Sequence, residues 1–454
     1  MAPMNRKSLF SRRKFLRLCG SSLLALWSFH PLEALAAKAK PAAESIGTAA
    51  KAAPVPPAQP ASHGTEPVAA DFDALRLRQL ITADSRTSRT IMWESAAPQA
   101  DGQLLWRLAG QMDIQSLSAA GRSFTEDDQT SYIHTAMVTG LQPGQHYEYR
   151  IIANGRGTAW QPLPAATAGP FKALIFPDSQ CSDDYGTWRD LAQNAAARNP
   201  DTDFFINMGD LVDNGESSYQ WRSWFDALAG ILERLPFAPV MGNHATYDLN
   251  WKIRLPLAWL RYFRVPGNGS TRFPNYYYSF DYGPVHFSVL NTQWEELDPL
   301  RPGILEEQRS WLAGDVAASR APWKVVLMHK DIINYEDLSS LEPLADIDPV
   351  GKALMPLFDQ LGIDAVLTAH QHTYRRHDHI FNFAPADHGP FYIDTGVAGN
   401  VRYDVQVDPR FDKKVLPQPE VDNYLTLEAS AQALHFKCFQ PDGSLADEAW
   451  ITKK

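Results

Sequence analysis

The chain has 454 residues, room for two or three domains, and a formal net charge of −10. Its 21% charged and 44% hydrophobic residues are ordinary globular material. It lacks an apolar run of about 18 residues, which argues against a membrane-spanning helix, and no basic stripe follows the N-terminal region, which argues against nucleic acid as an electrostatic partner.

The N-terminus reads as an export signal. Ser11-Arg-Arg-Lys-Phe-Leu16 is a twin-arginine motif, a moderately apolar stretch runs from Leu16 to Phe29, and Ala34-Leu-Ala36 is a small-x-small cleavage site. The expectation is a signal peptide over 1–36, the twin-arginine translocase as partner during export, no stable membrane insertion after cleavage, and a periplasmic or secreted product. Residues 37–71 are rich in Ala and Pro and have little to bury, so a disordered linker is expected there.

Residues 72–169 follow as short strands, Leu75–Thr82, Thr90–Glu94, Leu104–Leu108, Ile133–Thr139 and Tyr147–Ile152. Turn signals such as Pro143-Gly144 separate them, a spacing that predicts an all-β sandwich without a catalytic constellation.

A second domain, 170–454, mixes strands and helices. Five apolar runs end in metal-ligand residues. Phe171–Pro177 ends at Asp178; Phe204–Met208 ends at Gly209 and Asp210, with Asp213 in the same turn; Phe237–Gly242 ends at Asn243 and His244. Trp323–Met328 ends at His329, and Asp364–Ala369 ends at His370 and His372. A strand exit is the usual place for chemistry in an α/β fold. Carboxylates, an amide and imidazoles, with no thiolate, suit Fe, Mn or Zn. Helices are expected over Trp188–Arg198, Ser217–Leu235 and Leu305–Arg320, and a hairpin over Tyr276–Leu290 around Gly283-Pro284. Strands are expected at Phe391–Thr395, Tyr424–Ala429 and Ala433–Phe439. Cys181 and Cys438, the two cysteines beyond the signal, could pair once but cannot form a disulfide framework.

At these residues the chain resembles the calcineurin-like metallophosphoesterases, and within them the purple acid phosphatase branch. The blocks are Pro177-Asp-Ser-Gln180, Gly209-Asp-Leu-Val-Asp213, Gly242-Asn-His244, Leu327-Met-His329 and Ala369-His-Gln-His-Thr-Tyr-Arg375. His134–Arg150 resembles the fibronectin-III-like domain that precedes the catalytic domain in that branch, and the likeness spans about residues 72–440. The implied fold is an α/β (α+β) sandwich of two sheets flanked by helices, behind a fibronectin-III-like β-sandwich. Two positions depart from the pattern. Asp213 stands where the branch has an iron-binding tyrosine, and Gln180 stands where the wider superfamily has a histidine.

The resemblance and the residue chemistry together imply a site for two divalent or trivalent metal ions. Asp178 and His372 would hold the first; Asn243, His329 and His370 the second; Asp210 would bridge them. Gln180 either ligates the first metal weakly or binds a metal-bound water. Two such ions, about 3.5–4 Å apart, hold a bridging hydroxide that attacks a phosphoester. His244 would contact the phosphate or protonate the leaving group. Asp213 either orients His244 or takes the missing tyrosine's place as a ligand. Arg375 would lock its loop, and His377 and His379 are candidates for the rim. The expected function is hydrolysis of a small-molecule phosphoester. Two other classes stay open: a metal-binding protein of the same fold with little turnover, and a binding module that uses the β-sandwich.

Overall fold

The computed structural model describes residues 74–98, 102–335, 347–403, 405, 407–416 and 422–453. The expected signal peptide and linker lie outside the described residues.

The strands Phe171–Phe176, Phe204–Asn207 and Phe237–Pro239 are parallel neighbours and almost wholly buried. Burial on both faces explains their continuous apolar sequence. A second sheet contains Val285–Val289, Trp323–Leu327, Ala365–Thr368 and Phe391–Thr395, also parallel neighbours, edged by antiparallel Tyr278–Tyr282 and Tyr374–Phe381. The two sheets meet through aromatic rings. Phe204 lies 4.3 Å from Tyr282, and Phe171 lies 5.3 Å from Tyr282 and 6.1 Å from Phe287, centroid to centroid.

Helices cover both outer faces. Trp188 of helix Gly186–Arg198 meets Phe176 edge-on at 5.0 Å and stacks on Trp224 of helix Ser218–Ala227 at 6.0 Å. On the other side lie Ile304–Ala318 and Pro349–Leu361. The architecture is the expected α/β sandwich. The helix expected over Ser217–Leu235 stops at Ala227, and a turn follows in which Gly230 takes φ +80°.

The N-terminal β-sandwich has its own core around Trp93, Leu104, Trp106, Tyr149 and Leu163. It does not end at residue 169 as an isolated body. Leu75–Leu80 pairs in parallel with Phe237–Pro239, and Ser88–Ser95, Gln129–Thr139 and Ala120–Glu126 extend the same sheet to ten strands. The buried Gln79 amide group donates to the carbonyls of Glu233 and Pro162, and Arg78 Nε donates to Tyr262 O.

Candidate metal centre

Both sheets release their parallel strands toward one rim. Asp178, Asp210 and Asn243 follow the C-terminal ends of three strands in the first sheet; His329 and His370 follow two in the second. The backbone bends sharply at this rim. Asp210, His370 and His372 all adopt positive φ, at +41°, +75° and +54°. Such conformations cost of order 1–3 kcal/mol each for a non-glycine residue and cluster where side-chain aim matters. Two glycines make the close approach possible. A Cβ on Gly209, itself at φ +114°, would stand 2.3 Å from His329 Nδ1; one on Gly242 would stand 2.1 Å from Asp210 Oδ1.

Asp210, His329 and His370 bring ligand atoms within 4.8 Å of one another. His329 Nδ1 bonds the Met208 carbonyl at 3.0 Å, so its proton sits there. Its Nε2 then faces Asp210 Oδ2 at 3.1 Å and Asn243 Oδ1 at 3.1 Å. His372 repeats the device: Nδ1 bonds Val401 O at 2.7 Å and Nε2 faces Asp178 Oδ2 at 3.0 Å. A lone pair facing a carboxylate oxygen at that distance repels it unless a proton or a cation lies between them. Burial alone would depress the His329 imidazolium, but the Asp210 and Asp178 carboxylates outweigh it and push the group up to about 9. Burial would likewise raise Asp210, yet the imidazoles of His329 and His244 hold it far below the usual carboxylate range. Burial pushes His370 well below the ordinary histidine value.

Asp178 and Gln180 occupy the other half. The Asp178 carboxylate accepts the His370 amide at 3.0 Å. Gln180 is fully buried, and neither atom of its amide group has a hydrogen-bond partner among the described residues. A buried amide group without a protein partner marks a place for a water or an ion more often than a true orphan. The orphaned Gln180 atoms, the facing lone pairs and the two glycine cradles all fit a centre built for cations. A hard-oxygen and imidazole donor set suits Fe, Mn or Zn.

His244 stands beside this array. Its backbone N–H donates to Asp210 Oδ1 at 2.8 Å, and its Nε2 lies 3.8 Å from Asp210 Oδ2. Nδ1 bonds the backbone carbonyl of Asp213 at 2.6 Å, whereas the Asp213 carboxylate is 3.8 Å away. The main chain of Asp213, rather than its side chain, makes the shorter contact.

The residues after His372 turn inward. Arg375 reaches Asp412 Oδ2 at 3.1 Å and stacks 3.7 Å over the Tyr335 ring. His377 is buried with its Nδ1 3.2 Å from the same aspartate, and His379 donates to Gly389 O at 2.7 Å. Cys181 and Cys438 are both buried and free; burial pushes the Cys181 thiol up to about 11.

Several supporting residues have no signal in the sequence. Ser179 Oγ accepts from Asn207 Nδ2 at 3.0 Å and Trp224 Nε1 at 2.9 Å, tying the first two strand exits together. Tyr403 gives His372 an aromatic neighbour, with the two ring centroids 4.4 Å apart.

A family model described as calcineurin-like phosphoesterase matches residues 171–374, and one described as the purple acid phosphatase N-terminal domain matches residues 75–165. Purple acid phosphatase 23 of Arabidopsis thaliana is 27% identical over 304 residues, 59% of this chain and 63% of its own length. Acid phosphatase type 7 of Mus musculus is 25% identical over 345 residues, 68% of this chain and 74% of its own. The chain spans less than two thirds of the length of the first plant relatives, 63%, 57% and 62%. A solved purple acid phosphatase from yellow lupin seeds has the same fold, with a TM-score of 0.71 over 83% of this chain and 74% of that one at 17% identity.

Proposed function

We propose that this chain, whose residues 171–374 match the calcineurin-like phosphoesterases and whose residues 75–165 match the purple acid phosphatase N-terminal domain, hydrolyses phosphoesters at a centre holding two cations. The observation that carries the reading is the pair of facing contacts, His329 Nε2 to Asp210 Oδ2 at 3.1 Å and His372 Nε2 to Asp178 Oδ2 at 3.0 Å.

Asn243, His329 and His370 would hold one ion, Asp178 and His372 with Gln180 the other, and Asp210 would serve both. Bound there, Fe, Mn or Zn ions supply charge neutralisation for the phosphoryl oxygens and an acidified water. The backbone contacts of His329 and His372 fix the ring orientation before any ligand arrives. His244 has Nδ1 tied to the Asp213 carbonyl, which leaves Nε2 to contact the phosphate. As an imidazolium it passes that Nε2 proton to the departing oxygen. Asp213 sets the position of His244 mainly through its main chain.

Phosphatase and phosphodiesterase assays with metal analysis on one preparation test the reading. Hydrolysis should scale with metal content, fall on chelation and return on reloading. Full metal content without hydrolysis of an activated aryl phosphate would favour a metal-binding protein instead. Export through the twin-arginine translocase to the periplasm belongs to the same proposal. Replacing Arg12 and Arg13 by lysine should strand the activity in the cytoplasm, and unchanged periplasmic activity would refute that route.

A further inference from the structure

Beside His244 stands an aromatic wall that the chemistry above does not use. Tyr247 and Trp251 each lie edge-on to the His244 ring, at 5.7 and 5.8 Å with interplanar angles of 88°. Their own rings are 6.1 Å apart at 47°. Both side chains are only partly buried, unlike the tryptophans of the core.

The loop that carries them is firmly built. Tyr247 and Ile253 bridge its base. Asp248 Oδ1 accepts the amides of Asn250 and Lys252, each at 2.8 Å, and the Asp248 carbonyl accepts Asn214 Nδ2 at 2.7 Å. At its tip Trp251 adopts φ +61°, a left-handed conformation that a bulky residue rarely takes. Glycine would fill that position without strain. A large indole held in a strained backbone, partly exposed and next to the phosphate-contacting histidine, points to a contact with the substrate.

We propose that Tyr247 and Trp251 form the binding surface for the leaving group and select phosphoesters whose leaving group carries a flat aromatic ring, an arene or a nucleobase. This rests on the phosphoesterase reading and adds its substrate class. Phosphate held at His244 leaves its departing substituent next to the two rings. A planar π-face stacks on indole or phenol; an aliphatic substituent of the same size gains less.

The test uses the metal-loaded full-length protein and substrate pairs matched in leaving-group chemistry. Benzyl phosphate is paired with cyclohexylmethyl phosphate, and adenosine 5′-phosphate with ribose 5-phosphate. Each pair loses a primary alkoxide and differs in the ring. The wild type should show a KM lower by roughly 10-fold for an aromatic member. Trp251→Gly, which suits the local φ, should erase that preference while leaving the aliphatic member within about twofold, and Trp251→Phe should restore most of it. The pair that responds identifies the arene or the nucleobase as the source. Equal losses on both members of both pairs, or no change in either, would overturn the proposal. Calorimetric binding of benzylphosphonate against cyclohexylmethylphosphonate separates this from failure of the hydrolase reading. A preference for the aromatic phosphonate that disappears in Trp251→Gly supports the wall even without turnover, and equal binding refutes it.

Discussion

On the Asp210 side of the centre, donor atoms of Asp210, His329 and His370 converge within 4.8 Å, and Asn243 Oδ1 lies 3.1 Å from His329 Nε2. On the Asp178 side there are one carboxylate, one imidazole 3.0 Å from it, and an amide group whose atoms have no partner among the described residues. A fuller, prearranged donor set binds a cation more tightly, because less ordering remains to be done at the moment of binding. The resemblance also sets Gln180 and Asp213 at the two positions where a histidine and a tyrosine would strengthen the Asp178 side. The two halves should therefore fill in order, with the Asp210 side first and water or substrate oxygen completing the other.

In the proposed centre Asp210 is the shared element, so breaking it should erase the distinction altogether. Asp210→Asn removes the charge that faces His329 and His244, and both cations should leave. Metal content measured after desalting should fall below one ion per chain, with activity at background. Retention of one full equivalent would show that Asp210 serves a single pocket.

His244 probes chemistry with the metals left in place. His244→Ala should keep both ions and lower the rate by about 10²–10⁴ for poor leaving groups, with a smaller loss for nitrophenyl esters, which need little protonation. Asp213→Asn should cost no more than roughly a few-fold, because the shorter bond to His244 comes from the main-chain carbonyl, which the substitution keeps. A loss from Asp213→Asn as large as that from His244→Ala, with metals retained, would show that the Asp213 carboxylate itself orients His244. Loss of a metal instead would make Asp213 a ligand.

Graded removal of metal reads the asymmetry directly. Titration with a chelator should proceed in two steps separated by about 10–100-fold in affinity, the range over which a supporting shell tunes a metal site. The first step should abolish turnover while one ion stays bound. A single cooperative step would mean that the two pockets are equivalent despite their unequal furnishing.

Much of this centre was legible because each proposed ligand lies within three residues of the end of a short apolar run, and a buried parallel strand leaves that signature. The wider fold was legible in elements such as Ala433–Phe439, found with those bounds, and Trp188–Arg198, found as Gly186–Arg198. The helix Pro349–Leu361 escaped notice although Asp348 caps it, Pro349 opens it and Gly362 closes it in a left-handed conformation. The strand Leu445–Thr452 escaped because half its residues face solvent and break the apolar pattern. The pairing of Leu80 with Phe237 and the Val401 carbonyl behind His372 join segments that are not neighbours in the chain. No local pattern encodes such contacts; they exist only once the chain has folded.

Gln180 offers the finest cut between the halves, because its amide acts in opposite directions with and without metal. In the metal-free protein, a buried amide lacking hydrogen bonds costs about 1–3 kcal/mol. Gln180→Leu, similar in size and apolar, should relieve that cost and raise the Tm of the metal-free chain. In the loaded protein the same amide would bind the weaker cation or its water, so the substitution should lower metal affinity and with it the Tm gained on loading. The predicted signature is a change of sign in the Tm difference between the two states. Gln180→His, which restores an imidazole, should instead tighten the weaker step of the chelator titration by about 10-fold and draw the two steps together. A Tm difference of the same sign in both states, with the titration unmoved by either variant, would place Gln180 outside the centre. The Asp178 side would then hold its ion with Asp178, His372 and Asp210 alone.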